Sequence, residues 1–400
     1  MFGKTKNILL IGNNINNDVS KYLETPESSK NITHLRIYSH GLSEDPTLFT
    51  VLRKFIKTPN VISKVCVVCD PMIDCLSIKK ANKLLFNTLS IFNDVCIKKL
   101  TIRNDCETYD VYNFESLKRY LENTTSFKKV RLDGVWNNTS FDLIQCANLN
   151  ESIEKIRLDL YIVATYNIEL STITKLQSIL INNNAKTDLL PYYLDMLIAH
   201  PCVTELILIV FELTSEIMEL IIAIINKNQL KKIRLSHYSL PTTEITHSDD
   251  FAKFLMMSQL KSISYSGRLG EYLLADLNLS TSLTNFKVRS MMNCNCIGYI
   301  DNIITNLSKS NIVNFYCDAI VISNQPYLNN DDKSNLVDRW ENILLDNYLI
   351  TSFYLKVIIT QNNGRWFTRP TTFTLSNITN RNIDVATKTR FAKVKPIYPS

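Results

Sequence analysis

The stretch FKKVRLDG at residues 127–134 decides the fold, because it returns twice further along the chain. Its second copy is IEKIRLDL at 153–160, and its third is LKKIRLSH at 230–237. All three copies carry apolar residues at the same positions and basic residues at the same positions between them. Alternation with a period of two is typical of a strand with one buried face. The recurrence therefore predicts a repeat architecture built on that strand.

An apolar triplet of this spacing occurs along most of the chain. The second apolar residue lies three positions after the first, and the third lies two positions after the second. Twelve copies align, and the steps between their middle residues average about 31 residues, a length within the range of known repeat families. The middle residues are Leu9, Leu35, Val65, Leu100, Val130, Ile156, Leu206, Ile233, Ile263, Phe286, Phe315 and Phe353.

Amphipathic segments separate the triplets. Their apolar residues recur at intervals of three and four, which is the spacing of one helix face. Neither a short strand nor such a helix can bury its apolar face alone, so we expect the units to stack on one another. The predicted helices cover residues 46–59, 77–92, 113–123, 215–228, 249–257, 299–309 and 335–347.

The triplets and the helices between them resemble the leucine-rich repeat family, in the long strand-plus-helix form of ribonuclease-inhibitor-like proteins. The resemblance implies an α/β leucine-rich-repeat solenoid, with a curved parallel β-sheet on the concave side and helices on the convex side. The solenoid is expected to span residues 1–360 in about twelve irregular repeats. The asparagine that the family places after each strand is replaced in most copies, for example by Tyr161, Phe211 and Tyr238.

The step between the sixth and seventh triplets is 50 residues long, which is too long for one repeat. We interpret residues 161–200 as an extra helical insertion, because 171–180 and 188–201 both have helical spacing. A concealed repeat whose strand is not identified is the alternative. Ile207 and Ile209 form an apolar patch on the next strand, and this insertion is expected to cover it.

Residues 361–400 are predicted to form a C-terminal β-hairpin cap and a basic tail. The Asn363–Gly364 pair favours a tight turn between two strands, and such a hairpin covers the open edge of the last repeat. Residues 377–400 contain five basic residues and one acidic residue. This tail is either a basic arm that folds on a partner or a solvated, frayed end.

The strand residues that alternate with the buried triplet point to the concave face. They are the residues one before, one after and three after each middle residue. From the second copy onward, thirteen of these 33 positions are Lys or Arg and four are Asp or Glu, whereas the whole chain has 44 basic residues in 400. A positively lined groove attracts acidic partners. The alternative is that exposed strand positions tolerate long basic side chains.

The residues expected to contact a partner are the basic and tyrosine side chains of this face. They are Arg36, Tyr38, Lys64, Lys99, Arg103, Lys129, Arg131, Lys155, Arg157, Lys232, Arg234, Lys287, Arg289, Tyr316, Tyr354 and Lys356.

Motifs for catalysis and metal binding are weak. Gly3-Lys4-Thr5 lacks the upstream strand and glycines of a phosphate-binding loop. Cys66 and Cys69 lie three apart on a predicted strand and so face opposite sides, which opposes joint metal binding. The five histidines are scattered over separate repeats. We therefore expect no catalytic residue, no cofactor and no metal site, and we expect that the protein is not an enzyme.

No segment reaches the run of about 18 apolar residues that a membrane span needs, and the N-terminal residues do not resemble a secretory signal. We expect an intracellular protein, cytoplasmic or nuclear, that does not associate with membranes. Its ten cysteines are expected to be reduced.

The leading hypothesis for function is a non-catalytic protein–protein interaction scaffold. It would bind an acidic partner surface through the basic concave face and take no small-molecule substrate. The first alternative is a ribonucleoprotein or ribosome-associated subunit whose basic residues contact nucleic-acid phosphates. The second is a regulatory substrate receptor or GTPase regulator, because long-repeat relatives include ubiquitin-ligase substrate receptors and Ran GTPase-activating proteins. No catalytic residue of those relatives can be matched here.

Overall fold

The fold is seen in a computed structural model of the chain. The chain forms two compact units, unit 1 (Met1–Val203) and unit 2 (Thr204–Ser400). The structure describes residues 7–11, 32–38, 50, 53–54, 63–69, 87, 89–92, 97–104, 115–134, 138–161, 168–183, 188–200, 202–227, 229–239, 245–267, 269–294, 297–325, 330–345, 349–361 and 371–377.

Unit 1 is an α/β structure in which parallel strands pair in sequence order. Its described residues contain seven strands: β1 (Asn7–Ile11), β2 (Ile32–Tyr38), β3 (Lys64–Cys69), β4 (Lys99–Asn104), β5 (Lys129–Gly134), β6 (Lys155–Tyr161) and β7 (Leu176–Asn183). Each strand is paired in parallel with the next one. The described helices of this unit are α1 (Glu115–Asn123), α2 (Asn138–Leu149) and α3 (Leu189–Ile198).

Unit 2 repeats the alternation of strand and helix. Its described strands are β8 (Glu205–Glu212), β9 (Lys232–Ser239), β10 (Ser262–Ser266), β11 (Asn285–Cys294), β12 (Asn314–Gln325), β13 (Ser352–Gln361) and β14 (Thr371–Asn377). Strands β8 to β13 pair in parallel and in sequence order. The described helices are α4 (Ser215–Lys227), α5 (Ile245–Met257), α6 (Gly270–Ala275), α7 (Gly298–Ser308) and α8 (Asn330–Leu345).

The last strand closes one side of unit 2. Strand β14 is antiparallel to β13, with Leu355 opposite Leu375. The Asn363–Gly364 pair between these strands lies outside the described residues, as does the basic tail after Asn377. An antiparallel neighbour satisfies the backbone groups that β13 would otherwise expose on that side.

The predicted helices 113–123, 215–228, 249–257, 299–309 and 335–347 agree with α1, α4, α5, α7 and α8 to within about five residues, whereas α2 and α6 were not predicted. Helix α4 begins after Thr214, whose hydroxyl oxygen accepts a hydrogen bond from the Ile217 N–H at 3.4 Å. Most of the segments 46–59 and 77–92 lie outside the described residues.

The interpretation of residues 171–180 as a helix is wrong. Residues 170–172 form a single 3₁₀ turn, and the segment then enters β7, which pairs with β6. The structure therefore contains the concealed repeat in the region that we interpreted as an insertion, and one helix, α3, follows its strand. The register shifts by one residue after Leu176, so Ile179 lies opposite Leu158. This bulge gives the strand apolar residues at a spacing that a helix also has.

The middle apolar residues of the triplets lie side by side in the core. Leu35, Val65, Leu100, Val130 and Ile156 are in register across β2 to β6, and all are buried. In unit 2 the corresponding positions of β11, β12 and β13 hold phenylalanines. The Phe286 and Phe315 rings stack at 6.0 Å between centroids, and the Phe315 and Phe353 rings stack at 5.4 Å. Identical positions thus form continuous apolar rows within each unit.

One backbone arrangement recurs where six of the strands, β6 and β9 to β13, begin. The carbonyl oxygen of Lys231 accepts hydrogen bonds from two successive N–H groups of the next repeat, Lys261 at 2.8 Å and Ser262 at 3.1 Å. The same pairing recurs at the carbonyls of Lys128, Thr204, Lys261, Thr284 and Val313. Because the two N–H groups share one acceptor, each strand starts at a fixed position beside its neighbour.

Polar side chains satisfy backbone groups at the turns from helix to strand. The Asn150 side-chain amide donates to the carbonyl of Glu122, within the last turn of α1, and to the carbonyl of Thr124 that follows it. Ser282 does the same in unit 2, with its hydroxyl donating to the carbonyls of Ser258 and Leu260. These residues supply hydrogen bonds to the backbone at the turns of successive repeats.

Helix α8 is fixed to α7 by a carboxylate. The buried Trp340 indole N–H donates to Asp301 Oδ1 at 2.7 Å. Arg339 Nη2 donates to both oxygens of the same carboxylate, at 2.6 and 2.7 Å. The Asp301 carboxylate therefore positions the largest buried side chain described in unit 2.

A buried hydrogen-bond chain crosses β9 and β10. The Tyr265 hydroxyl accepts from the Leu269 N–H at 2.7 Å and is hydrogen-bonded to His237 Nε2. His237 Nδ1 lies 3.0 Å from the carbonyl of Ser239, to which it donates when Nε2 is the acceptor. Gly267 packs against this chain with φ +154°. Glycine is required there, because an added Cβ would lie 2.6 Å from His237 Cδ2 and 2.7 Å from the Tyr265 hydroxyl.

We predict that Gly267→Ala lowers the free energy of unfolding by about 3 kcal/mol, since it combines a disfavoured backbone angle with a clash against buried groups. Urea unfolding followed by circular dichroism measures this. Gly298→Ala is the control, because Gly298 is exposed and lies outside the left-handed region. Equal unfolding midpoints for the two variants would contradict the described packing.

A candidate anion-binding face

The candidate site is the strand face that alternates with the buried triplet. We call it the ladder face and define it by the residues one before, one after and three after each middle apolar residue. The register aligns these residues into rows within each unit. In unit 1 the second of these rows runs through Arg36, Cys66, Thr101, Arg131 and Arg157. Eight basic and two acidic residues occupy the ladder face of β2 to β6.

Two arginines of unit 1 are neutralised by carboxylates of the adjoining row. Asp159 is only 1% exposed, and its Oδ1 accepts from Arg157 Nε at 2.8 Å. Its Oδ2 accepts from Arg131 Nε at 3.0 Å and also bonds to Arg131 Nη2. Arg131 Nη2 lies 3.0 Å from Asp133 Oδ2. Two guanidiniums and two carboxylates thus form one compact ion cluster with no net charge.

This cluster changes what is expected of two of the predicted contact residues. Arg131 and Arg157 were both expected to contact a partner, and they remain 29% and 27% exposed. Their charge, however, is already balanced by Asp133 and Asp159. Sequence analysis placed these aspartates on the same face but did not pair them with the arginines. The signal was present, because Arg-x-Asp on a strand puts both side chains on one face.

The lysines of unit 1 form no such paired cluster, although the charges of Lys129 and Lys155 help to lower the pKa of Glu154. Lys64 lies opposite Lys99, and Lys129 lies opposite Lys155, with β4 and β5 adjacent. We call these four residues the lysine row. Within the described part of unit 1, none of their ammonium groups forms a hydrogen bond or an ion pair.

Lys99 shows the electrostatic consequence. Partial burial lowers the pKa of its ammonium, and the nearby charges of Arg131, Arg157 and Lys64 lower that pKa further, against the opposing charge of Asp159. Like charges directly opposite each other on neighbouring strands destabilise a sheet. The lysine row therefore opposes folding, and the binding of an anion would relieve the repulsion.

Strands β2 and β3 add a weaker basic region. Arg36 Nη1 donates to the Tyr38 hydroxyl at 3.4 Å, and the hydrogen bond raises the pKa of Arg36. Burial raises the pKa of the neighbouring Cys66 thiol, although Arg36 opposes this effect. The thiol is therefore held in its protonated, poorly nucleophilic form. Arg103, on β4, is exposed.

The ladder face of unit 2 combines cations with tyrosines. Tyr316 and Tyr354 stack at 4.7 Å between centroids with an interplanar angle of 13°. Lys287 Nζ lies 4.1 Å from the centroid of the Tyr316 ring. The Tyr316 hydroxyl donates to Asp318 at 3.2 Å. The other basic residues expected at this face are Lys232, Arg234, Arg289 and Lys356, all at least partly exposed.

A cavity of about 260 Å³ lies on this face, across β10 to β13. Asn314 Nδ2 donates to Asn285 Oδ1 at 2.6 Å, which joins β12 to β11 beside the cavity. The polar residues that line the cavity are Ser262, Ser264, Asn285, Lys287, Asn314, Tyr316, Ser352 and Tyr354. Sequence analysis identified the lysine and the tyrosines of this lining but gave no role to the serines and asparagines.

Strand β8 departs from the expected pattern. Ile207 occupies a ladder-face position and is buried, whereas Ile209 is half-buried. The helical insertion expected to cover both residues contains β7 instead, so that part of the expectation fails.

Other site types find no support in the described residues. They contain no group of three or more His, Cys, Asp or Glu side chains placed to hold a metal ion. Among them there is also no helix with the length and apolar character needed to cross a membrane. Comparison of the chain with protein-family models and with curated protein sequences gives no match.

We predict that Asp159→Asn lowers the free energy of unfolding by about 2–3 kcal/mol, because it leaves two guanidiniums without their shared, buried counter-charge. Asp142→Asn is the matched control. Asp142 pairs with Lys118 at 2.9 Å but is 64% exposed, so its loss costs less than about 1 kcal/mol. Urea unfolding of both variants measures the difference, and similar losses would contradict the buried cluster.

We predict that Lys99→Met, unlike Asp159→Asn, increases the free energy of unfolding. Removal of one ammonium from the lysine row relieves like-charge repulsion and raises the free energy of unfolding by about 0.5 kcal/mol. The gain should shrink as salt screens the repulsion. Thermal unfolding at low and high salt tests this, and a salt-independent loss of stability would refute the repulsion.

Proposed function

We propose that this protein is a non-catalytic protein–protein interaction scaffold that binds an acidic partner surface through the ladder face. In this proposal the sequentially paired parallel strands form the concave side of a leucine-rich-repeat-like solenoid, and the helices form its convex side. The repeated strand–helix units and the in-register pairing of β2 to β6 and of β8 to β11 support that architecture.

The lysine row is the observation that carries the proposal. Four adjacent ammonium groups reduce the stability of a sheet, and within the described residues they make no compensating ion pairs. The neighbouring arginines have the carboxylates that a purely structural solution would use. Residues that oppose stability without local compensation are characteristic of binding sites.

An acidic protein surface fits this face better than single-stranded nucleic acid. Proteins that bind single strands offer aromatic rings on which bases stack. Here the Tyr316 ring has Tyr354 against one face and the Lys287 ammonium over the ring at 4.1 Å. Tyr354 lies between Tyr316 and Ser376 of β14 in the register. The Tyr316 ring, with neighbours on β11 and β13, is therefore not available to a base.

The binding test compares two triple variants of equal charge change. Lys99, Lys129 and Lys155 are changed to Glu in one, and Arg119, Lys227 and Lys309 in the other. The three control residues are exposed and lie on or next to helices. Fluorescence anisotropy then measures the binding of a labelled decaglutamate peptide and of a labelled oligouridylate of equal charge. We expect the first variant to lose at least about tenfold in decaglutamate affinity and the control to lose little.

Two outcomes would contradict the proposal. If both variants bind decaglutamate as the unchanged protein does, the lysine row is a solvated surface. If the oligouridylate binds more tightly than the peptide, with an affinity that falls steeply as salt rises, the ribonucleoprotein alternative replaces the scaffold.

A further inference from the structure

The ladder face of unit 2 contains a trough of small side chains. All three ladder-face positions of β10 are serines, namely Ser262, Ser264 and Ser266. The adjacent strands carry much longer residues at the same level. Ser264 lies opposite Arg234 of β9 on one side and opposite Lys287 of β11 on the other. A strand of short hydroxyl side chains thus runs between two strands that carry cations.

The two cations stand at a separation suited to one small anionic group. Neighbouring strands lie about 4.8 Å apart, so the Cα atoms of Arg234 and Lys287 are about 10 Å apart across Ser264. Both side chains are long enough to reach over the serine, but the Lys287 ammonium lies over the Tyr316 ring in the structure and must turn from that ring towards β10 to do so. Each would then meet an oxygen atom of a group resting on the trough.

Neither cation has a counter-ion in the part of unit 2 that the structure describes. Lys287 contacts the Tyr316 ring, and Arg234 is exposed. Desolvation lowers the pKa of Lys287, and the charges of Arg289 and Arg234 add to this effect against the opposing charge of Asp318. Ser266 donates its hydroxyl to the Arg289 carbonyl at 2.9 Å, whereas the Ser264 hydroxyl has no hydrogen-bond partner among the described residues.

The aromatic stack holds one side of the trough in place. Lys287 is positioned by the Tyr316 ring, which is itself stacked on Tyr354. The cavity on this face borders both Ser262 and Ser264 and continues to Tyr354. The trough thus adjoins a depression whose lysine rests on an aromatic ring, in contrast to the lysine row of unit 1.

We propose that the trough binds a side-chain carboxylate of an acidic peptide segment, held between Arg234 and Lys287 and hydrogen-bonded by the Ser264 hydroxyl. A carboxylate presents two oxygens, so one can accept from the guanidinium while the other meets the ammonium. The hydroxyl donates a third hydrogen bond from below. This inference deepens the proposed function and rests on it, because it names the group that the scaffold recognises in unit 2.

The occupant is a peptide carboxylate and not a nucleic-acid phosphate for a structural reason. A phosphate on a single strand brings a base with it, and the Tyr316 ring beside the trough already contacts both Tyr354 and Lys287. Side-chain carboxylates of an extended peptide need no such platform.

Two independent changes test the trough. Ser264→Leu fills it without a change of charge, and the pair Arg234→Gln with Lys287→Gln removes its cations without filling it. Thr281→Leu, at an exposed turn, is the control for the first, and Lys227→Gln with Lys309→Gln is the control for the second. The probe is the labelled decaglutamate peptide, with oligouridylate and inorganic phosphate as competitors. Urea unfolding verifies that each variant is folded.

We expect each trough variant to lower decaglutamate affinity by about tenfold, and each control to leave it within about twofold. Unchanged affinity in the two-cation variant would overturn the inference, even if Ser264→Leu fails to fold. Competition by oligouridylate or inorganic phosphate that is stronger than that of unlabelled decaglutamate would also overturn it. The lysine-row variant distinguishes the two proposals. If that variant loses decaglutamate affinity while the trough variants keep theirs, the scaffold proposal stands and the trough inference is wrong.

Discussion

In-register pairing of parallel strands is the constraint on which the rest of this structure depends. Parallel pairing in register places equivalent residues of successive repeats side by side, about 4.8 Å apart. Any residue type that recurs at one position of the repeat therefore becomes a continuous row. On the buried face this gives the stacked rings of Phe286, Phe315 and Phe353. On the opposite face it forces charges of one sign together.

The two units accommodate the closely spaced like charges in different ways. In unit 1 the arginines are balanced by Asp133 and Asp159 from the adjoining row, whereas the lysine row has no such partners among the described residues. In unit 2 the serines of β10 separate Arg234 from Lys287, and the Tyr316 ring holds the lysine. Balanced charges stabilise the sheet, and unbalanced charges leave a surface suited to anions. The face thus carries compensated and uncompensated charges within single strands.

Strand positions were predictable because burial imposes a period of two that survives extensive change of residue type. The helices α4, α7 and α8 were predictable for the same reason, through their period of three to four. Strand β7 was missed because its bulge after Leu176 spaces Leu176 and Ile179 three residues apart, as a helix would. Asp159 was recognised as a face residue, but its near-complete burial depends on two arginines folding over it, which no local pattern records.

The sequence by itself determined which residues share a face, since side-chain direction along a strand follows from the backbone alone. It also determined the excess of basic residues on that face. The tertiary structure decided which of those charges are compensated, because this depends on distances between side chains of different repeats. The same is true of the serine trough: Ser264 is an ordinary strand residue in the sequence, and it becomes the floor of a candidate site only when Arg234 and Lys287, 30 residues before it and 23 after it, are brought to its two sides.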